Sequence, residues 1–242
     1  MKQSEWTILS NVLIAKHTYR MVLGGDTEGI LPGQFIEIDV PGQYLRRPIS
    51  VSDCENNNLT IIYKVVGEGT VAMSKMAVGT RLNILTVLGQ GYRLDLAKSN
   101  VLLIGGGVGI PPLIYAAKQL RAMGKQVRVV MGFNSHDEVF GEQEMKAMGC
   151  IVEIYTIDGS YGQKGLVTDA LSSNEPFYYA CGPLPMLKAL VNKIGSNGQI
   201  SMEERMGCGL GICVGCSIET TKGVKRVCKE GPVFNASDII WK

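Results

Sequence analysis

Four of the chain's seven cysteines fall in one C-terminal window, Cys208-Gly-Leu-Gly-Ile-Cys213-Val-Gly-Cys216, closed by Cys228. The spacing is C-x4-C-x2-C-x11-C, with glycine at 207, 209, 211 and 215. Thiolates that converge from one segment need a backbone that turns freely and aims its N–H groups at sulfur. Glycine, lacking a Cβ, gives that freedom. C-x4-C-x2-C followed by a fourth cysteine is a spacing that holds a [2Fe–2S] cluster. Two other uses of clustered cysteine stay open. A zinc site favours two separated C-x2-C pairs, and only one is present. Disulfides suit small exported chains. Here the cysteine count is odd, and Met1-Lys-Gln-Ser-Glu-Trp6 carries no apolar leader.

The 242 residues are enough for two small domains and a large core. Formal net charge is +2, with no basic run, so nucleic-acid binding is not expected. No apolar run reaches the ~18 residues of a membrane span. The most apolar stretch, 101–117, is broken by four glycines and Pro111-Pro112. A cytoplasmic protein with no membrane contact is expected.

Residues 1–96 read as short β segments with turn punctuation, at 7–15, 19–23, 34–40 and 59–66. Strands at this spacing suggest an antiparallel barrel or sandwich. Leu45-Arg-Arg-Pro-Ile-Ser-Val51 sets a guanidinium, a proline and a hydroxyl in one extended segment. Arginine matches a diphosphate with a bidentate fork, and Ser50 can hydrogen-bond a flavin edge. Strand alternation puts Ser50 on the face opposite Arg47 unless the chain kinks at Pro48. A surface arginine pair beside a turn would look the same. Val66-Gly-Glu-Gly-Thr70 precedes a helix over 71–77, a layout that aims free N–H groups at a phosphate. Thr70 as a plain helix N-cap explains it equally.

Residues 97–200 alternate strand and helix, which predicts a doubly wound parallel sheet. Ligands of such sheets sit at the carboxyl ends of the strands. Two of those ends are glycine-rich: Gly105-Gly106-Gly107-Val108-Gly109 and Cys181-Gly182-Pro183. The first is not G-x-G-x-x-G, though its backbone can still approach a diphosphate; a tight strand-to-helix turn is the other use of such glycines. The end of the second strand, 132–138, has two acids and no Lys or Arg, which favours NAD over NADP. After the four-cysteine window, 217–221 and 224–227 can pair as a hairpin that returns Cys228 to the other three.

The order of these motifs resembles the ferredoxin–NADP reductase superfamily. Arg-Pro-Ile-Ser and Gly-Glu-Gly-Thr come first, then Gly-Gly-Gly-Val-Gly, Cys-Gly-Pro and the four-cysteine loop. Within it the chain resembles the electron-transfer subunits of class B, NAD-dependent, dihydroorotate dehydrogenases, most specifically in 206–216 and 226–234. The resemblance implies three domains: an FAD-binding β-barrel over 1–96, an NAD-binding α/β domain over 97–200 and a [2Fe–2S] domain over 201–242. It implies that Arg47 binds the FAD diphosphate, with Pro48 and Ile49 beside it and Ser50 near the reactive flavin nitrogen. Ile49 stands where many relatives have tyrosine, so a stacked aromatic is missing. Ile62, Tyr63 and Lys64 would lie along the flavin, and Gly69 and Thr70 at its diphosphate. Gly105, Gly106, Gly107, Gly109, Gly182 and Pro183 would serve NAD, with Cys181 near the nicotinamide. Cys208, Cys213, Cys216 and Cys228 would hold the cluster.

No acid–base pair or nucleophile for acting on dihydroorotate is visible, and His17 and His136 lie in unrelated segments. The resemblance therefore implies a partner: an FMN-bearing catalytic subunit, two of each chain forming a heterotetramer in pyrimidine biosynthesis. Electrons would pass from that FMN through [2Fe–2S] and FAD to NAD⁺. A subunit of an NAD(P)-linked ferredoxin oxidoreductase or sulfhydrogenase shares this layout.

Overall fold

The structure is a computed structural model and describes residues 1–241. Six strands come first: β1 (Lys2–Ala15), β2 (Thr18–Gly24), β3 (Phe35–Ile38), β4 (Arg47–Glu55), β5 (Asn58–Lys64) and, after helix α1 (Glu68–Ser74), β6 (Arg81–Leu88). They close into an antiparallel barrel in the order β1-β2-β5-β4-β3-β6. Alternation decides what fills it. Ile36 and Ile38 of β3 point inward to a core with Trp6, Met21, Ile61 and Ile84. Phe35, one residue out of phase, faces the other way and joins a second core with Leu85 and Leu88. Of the two alternatives left open by the sequence, the barrel is found.

The second half alternates as expected: β7 (Asn100–Gly106), α2 (Pro111–Ala122), β8 (Gln126–Phe133), α3 (Glu142–Ala147), β9 (Ile151–Thr156), a two-residue β10 (Gln163–Lys164), β11 (Tyr178–Cys181), α4 (Leu184–Ile194) and β12 (Gly198–Ser201). From Val101 on, β7 is apolar because it is covered on both faces. Leu102 and Ile104 enter one core, while Val101 and Leu103 enter the other. Pro111 starts α2, where a missing N–H costs nothing. Between β10 and β11 the chain makes only a 3₁₀ turn, Val167–Ala170, closed by Asp169 accepting from the Leu166 N–H at 2.8 Å.

The hairpin predicted near the C-terminus is present as β13 (Ser217–Thr220) and β14 (Gly223–Arg226). The chain then returns to the sheet as β15 (Val233–Asn235), antiparallel to β12, giving the order β10-β9-β8-β7-β11-β12-β15. The cysteine-bearing segment is thus anchored to the sheet at both ends. Barrel and sheet are joined by ion pairs: Lys16–Asp137 and Lys64–Glu138 at 2.8 Å, Lys118–Asp53 at 2.9 Å, and Arg20–Glu144. Among the described residues no helix is long and apolar enough to cross a membrane.

Candidate functional site

A cavity of about 860 Å³ opens between barrel and sheet. Strand pairing explains it. β4 pairs with β5 only from Val51 onward. Residues 47–50 and 62–64 therefore diverge, and both sets line the gap. Arg47, Pro48, Ile49 and Ser50 all reach it without a kink, since their register with β3 stays regular from Ile38↔Arg47 to Phe35↔Ser50. The open strand edge does what a bend at Pro48 was expected to do.

Arg47 Nη2 donates to Gln43 Oε1 at 2.6 Å and Nη1 donates to the Leu45 carbonyl. Both acceptors are neutral, and no ion pair of Arg47 occurs among the described residues. The guanidinium rests on Gly69, where an added Cβ would lie 2.1 Å from Nε. Thr70 Oγ accepts from the N–H groups of Val66 and Gly67 at 2.9 and 3.2 Å, so it also stabilises its own turn. Lys64 lines the cavity, but its Nζ is held by Glu138 Oε1 at 2.8 Å. Tyr63 contributes backbone more than ring: its hydroxyl bonds Asn11 Oδ1 at 2.9 Å within the barrel core. The two acids that marked the end of β8 are both committed. Asp137 pairs with Lys16; Glu138 pairs with Lys64 and accepts from Asn134 Nδ2 at 2.7 Å. They lock barrel to sheet and do not stand free for a ribose.

On the sheet side, Gly106, Gly107, Gly109, Cys181, Gly182 and Pro183 line the cavity. Gly105 is turned inward, where a Cβ would meet Ile110 and Leu113 at 2.7 and 3.0 Å. Gly109 abuts the end of β11, and a Cβ there would fall 2.2 Å from the Cys181 carbonyl oxygen. Gly109→Ala is therefore expected to force these two strand ends apart, at about 1–3 kcal/mol. A thermal melt should fall by several degrees; an unchanged melt would mean that the turn yields freely. Burial pushes the Cys181 thiol up to about 12, so it stays protonated at neutral pH. One wall was not foreseen: Ser201, Met202, Glu203 and Glu204 lead from β12 to the cysteines and close the cavity. Their sequence has no motif to reveal it.

The four cysteines come together as two pairs. The Cys213 N–H donates to Cys208 Sγ at 3.4 Å, and the Cys228 N–H donates to Cys216 Sγ at 3.4 Å. Leu210 and Ile212 also aim N–H groups at Cys208 Sγ, and Gly211 aims its own at Cys228 Sγ at 3.1 Å. Burial opposes ionising Cys208, but these N–H groups outweigh it and hold the thiol down to about 6. Among the described residues no three His, Cys, Asp or Glu side chains converge as ligands of one ion. Two cysteine pairs under inward N–H groups fit a two-iron cluster, two cysteines to each iron, better than a single zinc ion. Cys216 and Cys228 are buried, whereas Cys213 is exposed between Ile212 and Val214. Behind the loop lies Glu37, also unforeseen. Burial pushes its carboxyl up to about 7, against the pull of Arg46 and Arg47.

A family described as the iron-sulfur cluster binding domain of dihydroorotate dehydrogenase B matches residues 203–240. A dihydroorotate dehydrogenase B (NAD(+)) electron transfer subunit from Fusobacterium nucleatum is 46% identical over 99% of both chains. Its counterpart from Shouchella clausii is 41% identical over 99% of this chain and 98% of that one. Among solved structures, an NADH-dependent reduced ferredoxin-NADP oxidoreductase superposes with a TM-score of 0.86 at 27% identity, covering 98% of this chain and 90% of the other. Phthalate dioxygenase reductase shares the fold at a TM-score of 0.68 and 19% identity, over 84% and 70%.

Proposed function

We propose, since the chain belongs to the family of dihydroorotate dehydrogenase B (NAD(+)) electron transfer subunits, that its cysteine loop and its cavity are the two ends of one internal electron path. The chain is an oxidoreductase subunit that transfers electrons between a catalytic partner and NAD⁺. One observation carries the internal layout. Cys216 and Cys228 share a core with Phe35 of β3, and β3 pairs residue by residue with the part of β4 that lines the cavity. The one-electron site and the two-electron site thus back onto each other.

When bound, a flavin exchanges a hydride with a nicotinamide and single electrons with an iron–sulfur cluster. The chain's residues hold and orient. Cys208, Cys213, Cys216 and Cys228 ligate the cluster. Arg47, free of any carboxylate, takes the FAD diphosphate above Gly69 and Thr70, and Ser50 stands by the reactive edge. Pro48, Ile49, Ile62, Tyr63 and Lys64 form the long wall. Gly106, Gly107, Gly109, Gly182 and Pro183 shape the NAD side, with Cys181 near the nicotinamide, while Gly105 packs the turn behind them. Among the described residues no histidine lines the cavity, and Cys181 remains a thiol; the carboxylates on its walls are Glu138, held by Lys64, and Glu203 and Glu204.

The partner is an FMN-bearing subunit that oxidises dihydroorotate, two of each chain assembling together. It approaches where Cys213 is exposed. The likeness to the NADH-dependent ferredoxin oxidoreductase favours a second reading, in which the partner serves ferredoxin. Anaerobic purification with assays of iron, sulfide and FAD, and identification of the co-purifying partner, tests both. Iron, sulfide and FAD with a dihydroorotate-oxidising partner are expected. Zinc without iron or flavin would overturn the reading.

A further inference from the structure

We propose that Glu37 is a tuning residue of the cysteine loop: its carboxylate lies against the loop's first turn and makes the arrival of an electron there less favourable. The inference rests on the reading of that loop as a cluster site. It begins with the two faces of β3. Ile36 and Ile38 fill the barrel; Phe35 and Glu37 face outward. On that outer face Phe35, Leu85 and Leu88 pack with Cys216 and Cys228. An apolar residue is what this position calls for, yet Glu37 occupies it, 1% exposed and with Oε1 lacking any hydrogen-bond partner. Such a group is costly to bury.

Its direction is fixed by Gly209. A Cβ on Gly209 would meet Glu37 Oε1 at 2.4 Å, Cδ at 2.7 Å and Cγ at 2.8 Å. The carboxyl therefore lies on the backbone next to Cys208, and position 209, at φ +65, has room only for glycine. Two arginines stand near the strand, but both guanidiniums are engaged elsewhere. Arg46 donates to the Asn83 carbonyl at 2.9 Å, to Asn83 Oδ1 at 2.6 Å and to the backbone oxygen of Glu37, and pairs with Asp39 at 3.5 Å. Arg47 donates to Gln43 and Leu45. Neither is ion-paired with the Glu37 carboxyl; both attract it from a distance, and when it is ionised its charge faces the loop.

A fixed anion raises the energy of an added electron, more so at the nearer site and in a medium of low dielectric. Net charge beside a cluster is one of the levers on its potential. Glu37 sits on the cysteine side of β3, and Arg47 on the cavity side. Together they tilt electrons away from the loop and toward the cavity, the direction needed for delivery to NAD⁺.

The test is an anaerobic redox titration of the purified holoprotein at alkaline pH, with electron paramagnetic resonance for the cluster and visible absorbance for the flavin. In Glu37→Gln, which keeps the shape, the equilibrium constant for cluster reduction should rise about tenfold, ~59 mV for a one-electron couple. The flavin should move less. Glu37→Asp should return the cluster toward the parent value. An unchanged cluster potential in Glu37→Gln, or equal shifts at cluster and flavin, would overturn the proposal. So would a cluster lost from Glu37→Gln but held by Glu37→Asp, since the carboxylate would then be holding the loop. A parent protein without iron would instead overturn the cluster reading, before any variant is made.

Discussion

Cys213→Ala is expected to abolish partner-linked electron transfer while NADH still bleaches the flavin absorbance. Cys213 is the exposed member of the outer pair, and its backbone N–H helps hold Cys208 as a thiolate. Loss of even an outer hydrogen-bond partner costs a metal site about 10–100-fold. Loss of a ligand should cost at least that, and partner-linked turnover should fall by about 100-fold or more. The cavity is built from barrel and sheet residues and from the Ser201–Glu204 wall, and among the described residues none of these hydrogen-bonds the Cys213 side chain, so its chemistry should persist. The measurements are iron per chain, NADH-dependent flavin bleaching, and dihydroorotate-dependent NADH formation with the partner present. Full partner-linked turnover in Cys213→Ala would remove the loop from the electron path.

The contrast between what could and could not be read in advance follows from the range of the signals involved. The cysteine spacing, the β7 apolar run and the Gly105–Gly109 turn are local, and each was legible because its chemistry is complete within about ten residues. The split between β4 and β5 that opens the cavity is not local. Whether Ser50 and Arg47 share a wall depends on where β5 stops pairing, and alternation along β4 alone gave the wrong geometry. The acids at 137 and 138 show the same limit. As a string they favoured NAD over NADP, but Lys16 and Lys64, over seventy residues earlier, claim them. Glu37 is the extreme case. In sequence it is one more polar residue in an alternating strand; only the return of the cysteine loop onto the barrel buries it.

Arg47→Ala should yield protein that folds but has lost most of its FAD. The argument is one of unbalanced charge. Lys64, the other cation lining the cavity, is neutralised by Glu138. Arg47 is the cation with only neutral acceptors, it sits over Gly69, and it is part of the strand segment freed by the β4–β5 split. A hydrogen bond to a charged group is worth about 1.5–3 kcal/mol, and a guanidinium fork on a diphosphate makes two. Losing about 3 kcal/mol weakens FAD binding about 100-fold. Arg47→Lys keeps the charge but not the fork, so it should fall between the two. Fluorescence quenching of FAD on reconstitution gives the dissociation constants, and a melting curve of each apoprotein checks the fold. Because Arg47 is half-exposed and packs no core, the melting temperatures should agree. Arg47→Ala that purifies with one FAD per chain and binds it as tightly as the parent would move the diphosphate elsewhere in the cavity, and the glycine turn at Gly106–Gly109 would be the remaining place for it.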